Sequence, residues 1–123
     1  MSKLEDIIQE IRVELGSDFI STDIVGSDGL SIAGGSVDPN FDTGQASARF
    51  SMVMKLASKT SDKLAIGAVE DNLATTEKLM IISRPLGDGS YYWGLAVPKD
   101  ATLGIVRLMM NEFAPRLWNA IPR

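Results

Sequence analysis

The residue types that most often carry out chemistry are missing from this 123-residue chain, which contains no histidine and no cysteine. Histidine is the commonest general base near neutral pH and the commonest metal ligand. Without cysteine, a nucleophile would have to be serine, threonine or lysine with an unusual base. The sequence has neither a G-x-S-x-G elbow nor a P-loop, the signatures of common hydrolases and nucleotide-binding loops. We therefore expect no catalytic residue, no metal, no cofactor and no enzymatic activity.

One segment resembles the beginning of a calcium-binding loop, with oxygen ligands or glycine at Asp38, Asn40, Asp42 and Gly44. An EF-hand loop has glycine directly after the third ligand and a bidentate glutamate at position twelve. Here Thr43 follows the third ligand, and position twelve is Arg49, a cation. The pattern instead favours a helix-entry turn whose Asp and Asn side chains accept hydrogen bonds from nearby backbone N–H groups.

Three further groups resemble sites, and each has a simpler structural interpretation. Gly34-Gly35-Ser36 before a helix could bind an anion, but it lacks a lysine and favours a flexible turn. Asp23 and Asp28 could form an acid/base pair, but both are more typical of solvated carboxylates near a turn. The aromatic residues 91–93 could stack on a ligand, but aromatic residues on strands usually pack against neighbours.

Three segments with helical spacing of apolar residues predict helices. The first has a capping box formed by Ser2 and Glu5 and ends at Gly16. The second follows an N-cap at Asp42 or Thr43, and the third follows residues 98–100. Their predicted inward residues are Leu4, Ile7, Ile8, Ile11 and Leu15, then Ala46, Phe50, Val53, Met54 and Ala57, then Leu103, Val106, Met110, Phe113 and Leu117.

Five short segments predict strands. The first two, residues 19–26 and 30–33, flank Asp28-Gly29, a dipeptide that favours a tight hairpin. Residues 64–69, 79–82 and 91–97 have short connections and predict an antiparallel meander. These last three segments are apolar at both odd and even positions, so both faces of the sheet must be covered by other elements of the chain. We predict an α+β fold in one domain, residues 1–123: a five-stranded antiparallel sheet with helices on both faces, in the order α-β-β-α-β-β-β-α.

Charge and hydropathy exclude two classes of partner. The chain has 12 basic and 16 acidic residues, a net charge of −4, which repels the phosphate backbone of nucleic acids. No stretch approaches the roughly 20 apolar residues that span a bilayer, and the first residues do not have the pattern of a signal peptide. The absence of cysteine fits a reducing compartment. We expect a cytoplasmic protein that neither binds nucleic acid nor inserts into membranes.

The second predicted helix has more apolar surface than one core-facing side requires. Ala48, Met52 and Leu56, at i, i+4 and i+8, form a separate line, called the outer stripe below. Exposed apolar stripes with polar rims mark interfaces, although a loop of the same chain could also cover this one. The polar rim of the stripe consists of Gln45, Arg49, Lys55 and Lys59. Small residues lie beside it, where a second helix could approach closely: Gly44, Ser47, Ser51 and Ser58.

A second surface for self-association is the predicted strand at residues 64–69. It begins the meander, so it should lie at an edge of the sheet, and it contains no charged residue or proline to block pairing. Ile66, Ala68 and Val69 would then meet the same strand of a second copy. With the outer stripe, this predicts a two-fold homodimer. Ile105 and Leu108 on the third helix form a further exposed apolar candidate.

Three passages together resemble the Roadblock (dynein light chain) family over nearly the whole chain. They are the strand-D-G-strand hairpin at residues 23–33, the alanine-containing helix at residues 46–57, and the A-x-L-G-x-x-R sequence at residues 101–107. Their order and spacing carry the resemblance, since D-G hairpins alone are common.

The resemblance implies a longin-like fold, with dimers that join the third strands and pack the second helices together. Family members act as scaffolds or regulators of small Ras-like GTPases, as dynein-associated subunits, or as bacterial GTPase-activating partners of the MglB type. The resemblance therefore implies a homodimer that binds and regulates a small Ras-like GTPase, with Arg49, Lys55 and Lys59 as candidate contacts. Two alternatives remain open: a small-molecule-sensing domain, and a structural subunit of a motor or membrane-associated complex.

Overall fold

A computed structural model describes residues 3–122 as a five-stranded antiparallel sheet with helices on both faces. This confirms the predicted fold class and element order; the predicted N-cap residue Ser2 lies outside the described residues. A short 3-10 turn, Gly16–Asp18, follows the first helix. The elements are α1 (Lys3–Leu15), β1 (Ser21–Gly26), β2 (Ser31–Ser36), α2 (Thr43–Leu64), β3 (Asn72–Thr75), β4 (Leu79–Leu86), β5 (Tyr91–Pro98) and α3 (Leu103–Ala120).

The strands are arranged in the order β2-β1-β5-β4-β3, and neighbouring strands are antiparallel. The β1–β2 hairpin turns at Asp28-Gly29 as predicted, with Gly29 at a φ of 90°. β3, β4 and β5 form the predicted meander. The pairing of β1 with β5 joins the hairpin to the meander, so β2 and β3 are the two edge strands.

The larger core lies on the face of the sheet covered by α1 and α3. Trp93 in β5 is fully buried there; its indole N–H donates to the Thr22 hydroxyl at 2.8 Å, which donates to the Gly94 carbonyl at 2.7 Å. Trp93 is therefore a packing residue, as predicted. The helices contribute the predicted residues: Leu4, Ile7, Ile8, Ile11, Val106, Met110, Phe113 and Leu117 are buried, and Leu15 and Leu103 pack at the margin.

α2 covers the opposite face with much less apolar contact. Its buried residues are Ser47, Ser51 and Met54, and Met54 packs with Val25 and Tyr92. The predicted inward face is therefore partly wrong, and so is the prediction that Ser47 and Ser51 leave room for another helix. Both serines face the sheet because the strands beneath carry small and polar residues at that level. The other predicted inward residues are exposed or half-buried: Val53, and Ala46, Phe50 and Ala57.

Residues 64–69 are not a strand, contrary to the prediction. α2 continues to Leu64, and Ala65 has a left-handed φ of 53°. The Ala65 and Ile66 N–H groups donate to carbonyls in the last turn of α2, at 3.2 Å each. The first residues of the predicted strand therefore form the C-terminal cap of α2 instead of a strand. The third strand begins instead at Asn72, after the predicted segment, and it does lie at a sheet edge.

The glycines of β2 continue the strand, although they were predicted to end it in a flexible turn. Gly34 pairs with Asp23 of β1. A Cβ atom on Gly34 would lie 2.6 Å from the Thr22 carbonyl oxygen, so the close approach of the two strands requires glycine there. On the other side, Asp23 pairs with Gly94 of β5, where a Cβ atom would meet nothing within 4 Å.

This difference between two strand glycines gives a direct test. We expect Gly34→Ala to lower the free energy of unfolding by about 1–3 kcal/mol, because the added methyl overlaps a backbone carbonyl. The matched control Gly94→Ala should leave it unchanged or raise it by up to about 1 kcal/mol, since alanine loses less chain entropy on folding. Urea denaturation measures both, and equal effects of the two variants would contradict the described packing.

Candidate functional site

The outer stripe on α2 is open to solvent. Met52 and Leu56 are each 67% exposed, and Ala48 is exposed beside them. Within residues 3–122 no loop covers the stripe, so the alternative in which the chain shields it is wrong for the described residues. Large apolar side chains on one line of an exposed helix form a surface suited to association.

Basic side chains accompany the stripe. Arg49, Lys55 and Lys59 are all exposed on α2. The two ion pairs of the described chain lie elsewhere, between Arg107 and Asp71 and between Arg116 and Glu10. The outer face of α2 is therefore locally cationic in a chain whose net charge is −4. A surface of this kind favours an acidic partner.

The residues predicted to pair along a strand edge are found in the loop that joins α2 to β3. Ile66 is 70% exposed and Ala68 is exposed, whereas Val69 is half-buried and packs against the small core cluster beneath α2. The free sheet edge in this part of the chain belongs to β3. Ile105 and Leu108, 66% and 70% exposed, lie on α3, which packs on the opposite face of the sheet.

Asp23 is the only acidic or basic side chain that is buried among residues 3–122, with 6% exposure. The Ser31 hydroxyl donates to Oδ1 at 2.6 Å, and the Ser47 hydroxyl of α2 donates to Oδ2. Burial raises the pKa of the Asp23 carboxyl above its ordinary value, and the two serine hydrogen bonds oppose part of that rise. The prediction of a solvated carboxylate is wrong for Asp23. Asp28, in contrast, is exposed.

Sequence reasoning missed Asp23 and Ser47 as a pair that joins β1 to α2. One signal was available: Asp23 lies inside a strand, on the same face as Ser21 and Val25, a position typical of a buried side chain rather than of a turn. Its partner on α2 is 24 residues away, and no local pattern connects the two. This pair joins β1 to α2, and Met54 adds apolar contacts between α2 and the sheet.

The calcium-like segment is a helix-entry turn, as predicted. Asp38 Oδ1 accepts a hydrogen bond from the Asn40 N–H at 2.9 Å, and Asp42 Oδ1 accepts one from the Gln45 N–H at 2.9 Å. Asp42 is thereby the N-cap of α2. Among residues 3–122 there is no group of three or more histidine, cysteine, aspartate or glutamate side chains that could hold a metal ion. In the same range, every helix is too short or too polar to span a bilayer.

This architecture is shared with several solved structures. Myxococcus xanthus MglB superimposes with a TM-score of 0.85 at 13% identity, over 97% of this chain and 94% of that one. The chain has the Roadblock/LC7 fold. An MglB with a tetrameric arrangement gives 0.83 at 13% identity, over 98% and 90% of the two chains. A Roadblock/LC7 domain from Streptomyces avermitilis gives 0.74 at 14%, over 92% and 96%.

These likenesses confirm the predicted Roadblock/longin-like fold, and at such identities they establish the fold alone. No family model matches the sequence, and no curated protein sequence matches it. In this chain, the Roadblock fold carries the exposed outer stripe on α2 and the buried Asp23–Ser47 contact beneath the helix.

Asp23 should make the stability of this Roadblock fold depend on pH. Its pKa is raised in the folded state from an ordinary value of 3.8, so the folded protein holds the proton more tightly than the unfolded chain. Asp23 therefore makes its full contribution to the free energy of unfolding below pH 3.8. That contribution is lost as the pH rises through the folded-state pKa.

The control is Asp23→Asn, which cannot titrate. In urea denaturation over a pH series, the difference in unfolding free energy between wild type and Asp23→Asn should shift against the wild type as pH rises above 3.8. If the difference stays constant, or moves in favour of the wild type, then burial does not raise the pKa of Asp23.

Proposed function

We propose that this protein is a non-catalytic, homodimeric interaction domain that binds and regulates a small Ras-like GTPase. The observation that carries the proposal is the exposed apolar stripe on α2 with its cationic surroundings. The Roadblock/LC7 fold, shared with MglB proteins, supports the same conclusion, since members of the family regulate small GTPases. The scarcity of groups able to do acid–base or nucleophilic chemistry supports a role in binding.

The dimer is proposed to form through α2. Full burial of a Met or Leu side chain is worth on the order of 1.5–3 kcal/mol, and a two-fold axis uses each contact twice. Met52 and Leu56 can therefore contribute four partly exposed side chains to one interface. An MglB with a tetrameric arrangement shows that this fold self-associates in another protein.

The edge strand β3 is proposed to extend the dimer interface. β3 has four residues and pairs on one side only, with β4, so its other edge presents free backbone groups. Joining two β3 edges would make one continuous sheet. The exposed Ile66 and Ala68 lie in the loop that precedes β3 and would approach the second copy, whereas Val69 mainly packs on its own chain.

The GTPase is proposed to meet the cationic side chains of α2. Arg49, Lys55 and Lys59 would pair with carboxylates on the partner. Contacts of this kind accelerate association and weaken with salt. In a dimer the same charges repel one another across the two-fold axis, so added salt should strengthen the dimer while it weakens the GTPase complex.

Substitution of the stripe should separate the copies. Met52→Lys adds a positive charge to a proposed interface that is already cationic on both copies, where an unpaired desolvated charge costs about 3 kcal/mol or more, so the dissociation constant of the dimer should rise about 100-fold. The matched control is Leu108→Lys on α3, a residue with similar exposure on the opposite side of the sheet, and it should remain dimeric. Sedimentation velocity across a concentration series measures both; a dimer unchanged by Met52→Lys would remove the stripe from the interface.

Binding to a GTPase can be measured directly. Small GTPases from the same organism, loaded with GDP or a non-hydrolysable GTP analogue, are titrated in biolayer interferometry. We expect saturable binding that prefers one nucleotide state, and about tenfold weaker binding at low salt for the double variant Arg49→Glu with Lys55→Glu. Sedimentation checks that the double variant remains dimeric. Absence of binding in both nucleotide states at 100-fold molar excess would overturn the GTPase assignment and leave the dimer prediction standing.

A further inference from the structure

A cavity of about 40 Å³ lies between α2 and the sheet. Its walls are mainly apolar, and Phe50 and Met54 of α2 lie above it. Half-buried Phe41 and Thr43, at the start of α2, form its rim. Room of this size accommodates about three water-sized groups. The cavity is separate from the outer stripe, which lies on the opposite side of α2.

The cavity exists because one row of residues across the sheet lacks large side chains. Asp23 of β1 pairs with Gly94 of β5, and Gly94 pairs in turn with Ser83 of β4. Neighbouring strands are about 4.8 Å apart, so Asp23 and Ser83 flank a gap of roughly 10 Å over Gly94. α2 does not fill this gap from above, because small Ser47 and Ser51 face the sheet there.

Ser83 supplies an unused hydrogen-bonding group. The residue is 3% exposed, and its hydroxyl is buried without any hydrogen-bond partner among the described residues. A buried polar group left unpaired has an energetic cost to the folded state. Because Ser83 lines the cavity, a molecule with a hydroxyl or amino group inside it would relieve that cost.

Asp23 limits which molecules fit. Its carboxylate lines the cavity from the other side and, although both oxygens accept serine hydrogen bonds, it has no cationic partner among residues 3–122. An anionic molecule would be repelled, whereas a neutral or cationic one is compatible. The apolar walls favour a hydrocarbon portion.

We propose that this cavity is a binding site for a small, mainly apolar molecule that carries one hydroxyl or amino group, such as a short-chain alcohol or amine. The polar group hydrogen-bonds Ser83 over Gly94, and the hydrocarbon portion contacts Phe50 and Met54 and extends toward the rim at Phe41. Occupancy adds contacts beneath α2, where the helix has few. This inference does not depend on the dimer or on the GTPase.

The test uses three probes of equal chain length: n-propanol, n-propylamine and propionate, each titrated into the ¹⁵N-labelled full chain and followed by NMR. Saturable shifts are expected at the amides of Ser83, Gly94 and Met54 with the alcohol or the amine, and none with propionate. The amide of Leu108 reports non-specific effects of the probe.

Two variants locate the site. Gly94→Ala fills the cavity floor and should weaken probe binding at least tenfold, and Ser83→Ala removes the hydrogen bond and should weaken it about fivefold. The proposal is overturned by the absence of saturable shifts with both the alcohol and the amine at about 100 mM, by equal binding of propionate, or by undiminished binding in both variants. The same shifts at Leu108 as at Ser83 would likewise overturn it.

Discussion

Asp23, Gly94 and Ser83 lie side by side on three neighbouring strands, so the centre of one sheet face carries no large apolar side chain. α2 rests on that face through serines and one methionine, Met54. Met54, packed against Val25 and Tyr92, is the one fully buried apolar side chain of α2. Met52 and Leu56 consequently point away from the sheet, where a second molecule can bury them. The other face is an ordinary apolar core closed by α1 and α3.

The same constraint connects three features that are otherwise unrelated. The missing side chain at Gly94 leaves a cavity, and the buried Asp23 carboxylate requires the Ser47 hydroxyl of α2. Because α2 makes little apolar contact with the sheet, most of its large apolar side chains are exposed to solvent. Among the described α-helices, α2 therefore buries the fewest apolar side chains, and its outer face leaves Met52 and Leu56 available to a partner. A Roadblock/LC7 fold in which α2 carries an interface fits this distribution.

The parts of the fold with strong local patterns could be predicted from the sequence. The spacing from Val106 to Leu117 identified the buried face of α3, and the line of Met52 and Leu56 identified the outer stripe. The strand prediction for residues 64–69 was wrong because an apolar run favours a strand by local pattern alone. In the structure, Ala65 and Ile66 instead donate hydrogen bonds to the last turn of α2. The burial of Asp23 could not be predicted, because its partner Ser47 and its neighbour Gly94 are distant in sequence and come together only when the sheet and α2 are assembled.

We propose above all that the outer stripe of α2 contacts the same stripe of a second copy of this chain. Isotope-filtered NOE spectroscopy on an equimolar mixture of methyl-labelled and unlabelled protein tests it most directly, because only contacts between molecules give cross-peaks. We expect intermolecular cross-peaks at the Met52 and Leu56 methyl groups and none at Leu108, which is similarly exposed. Cross-peaks at Leu108 alone, or none at any of the three at millimolar concentration, would contradict it.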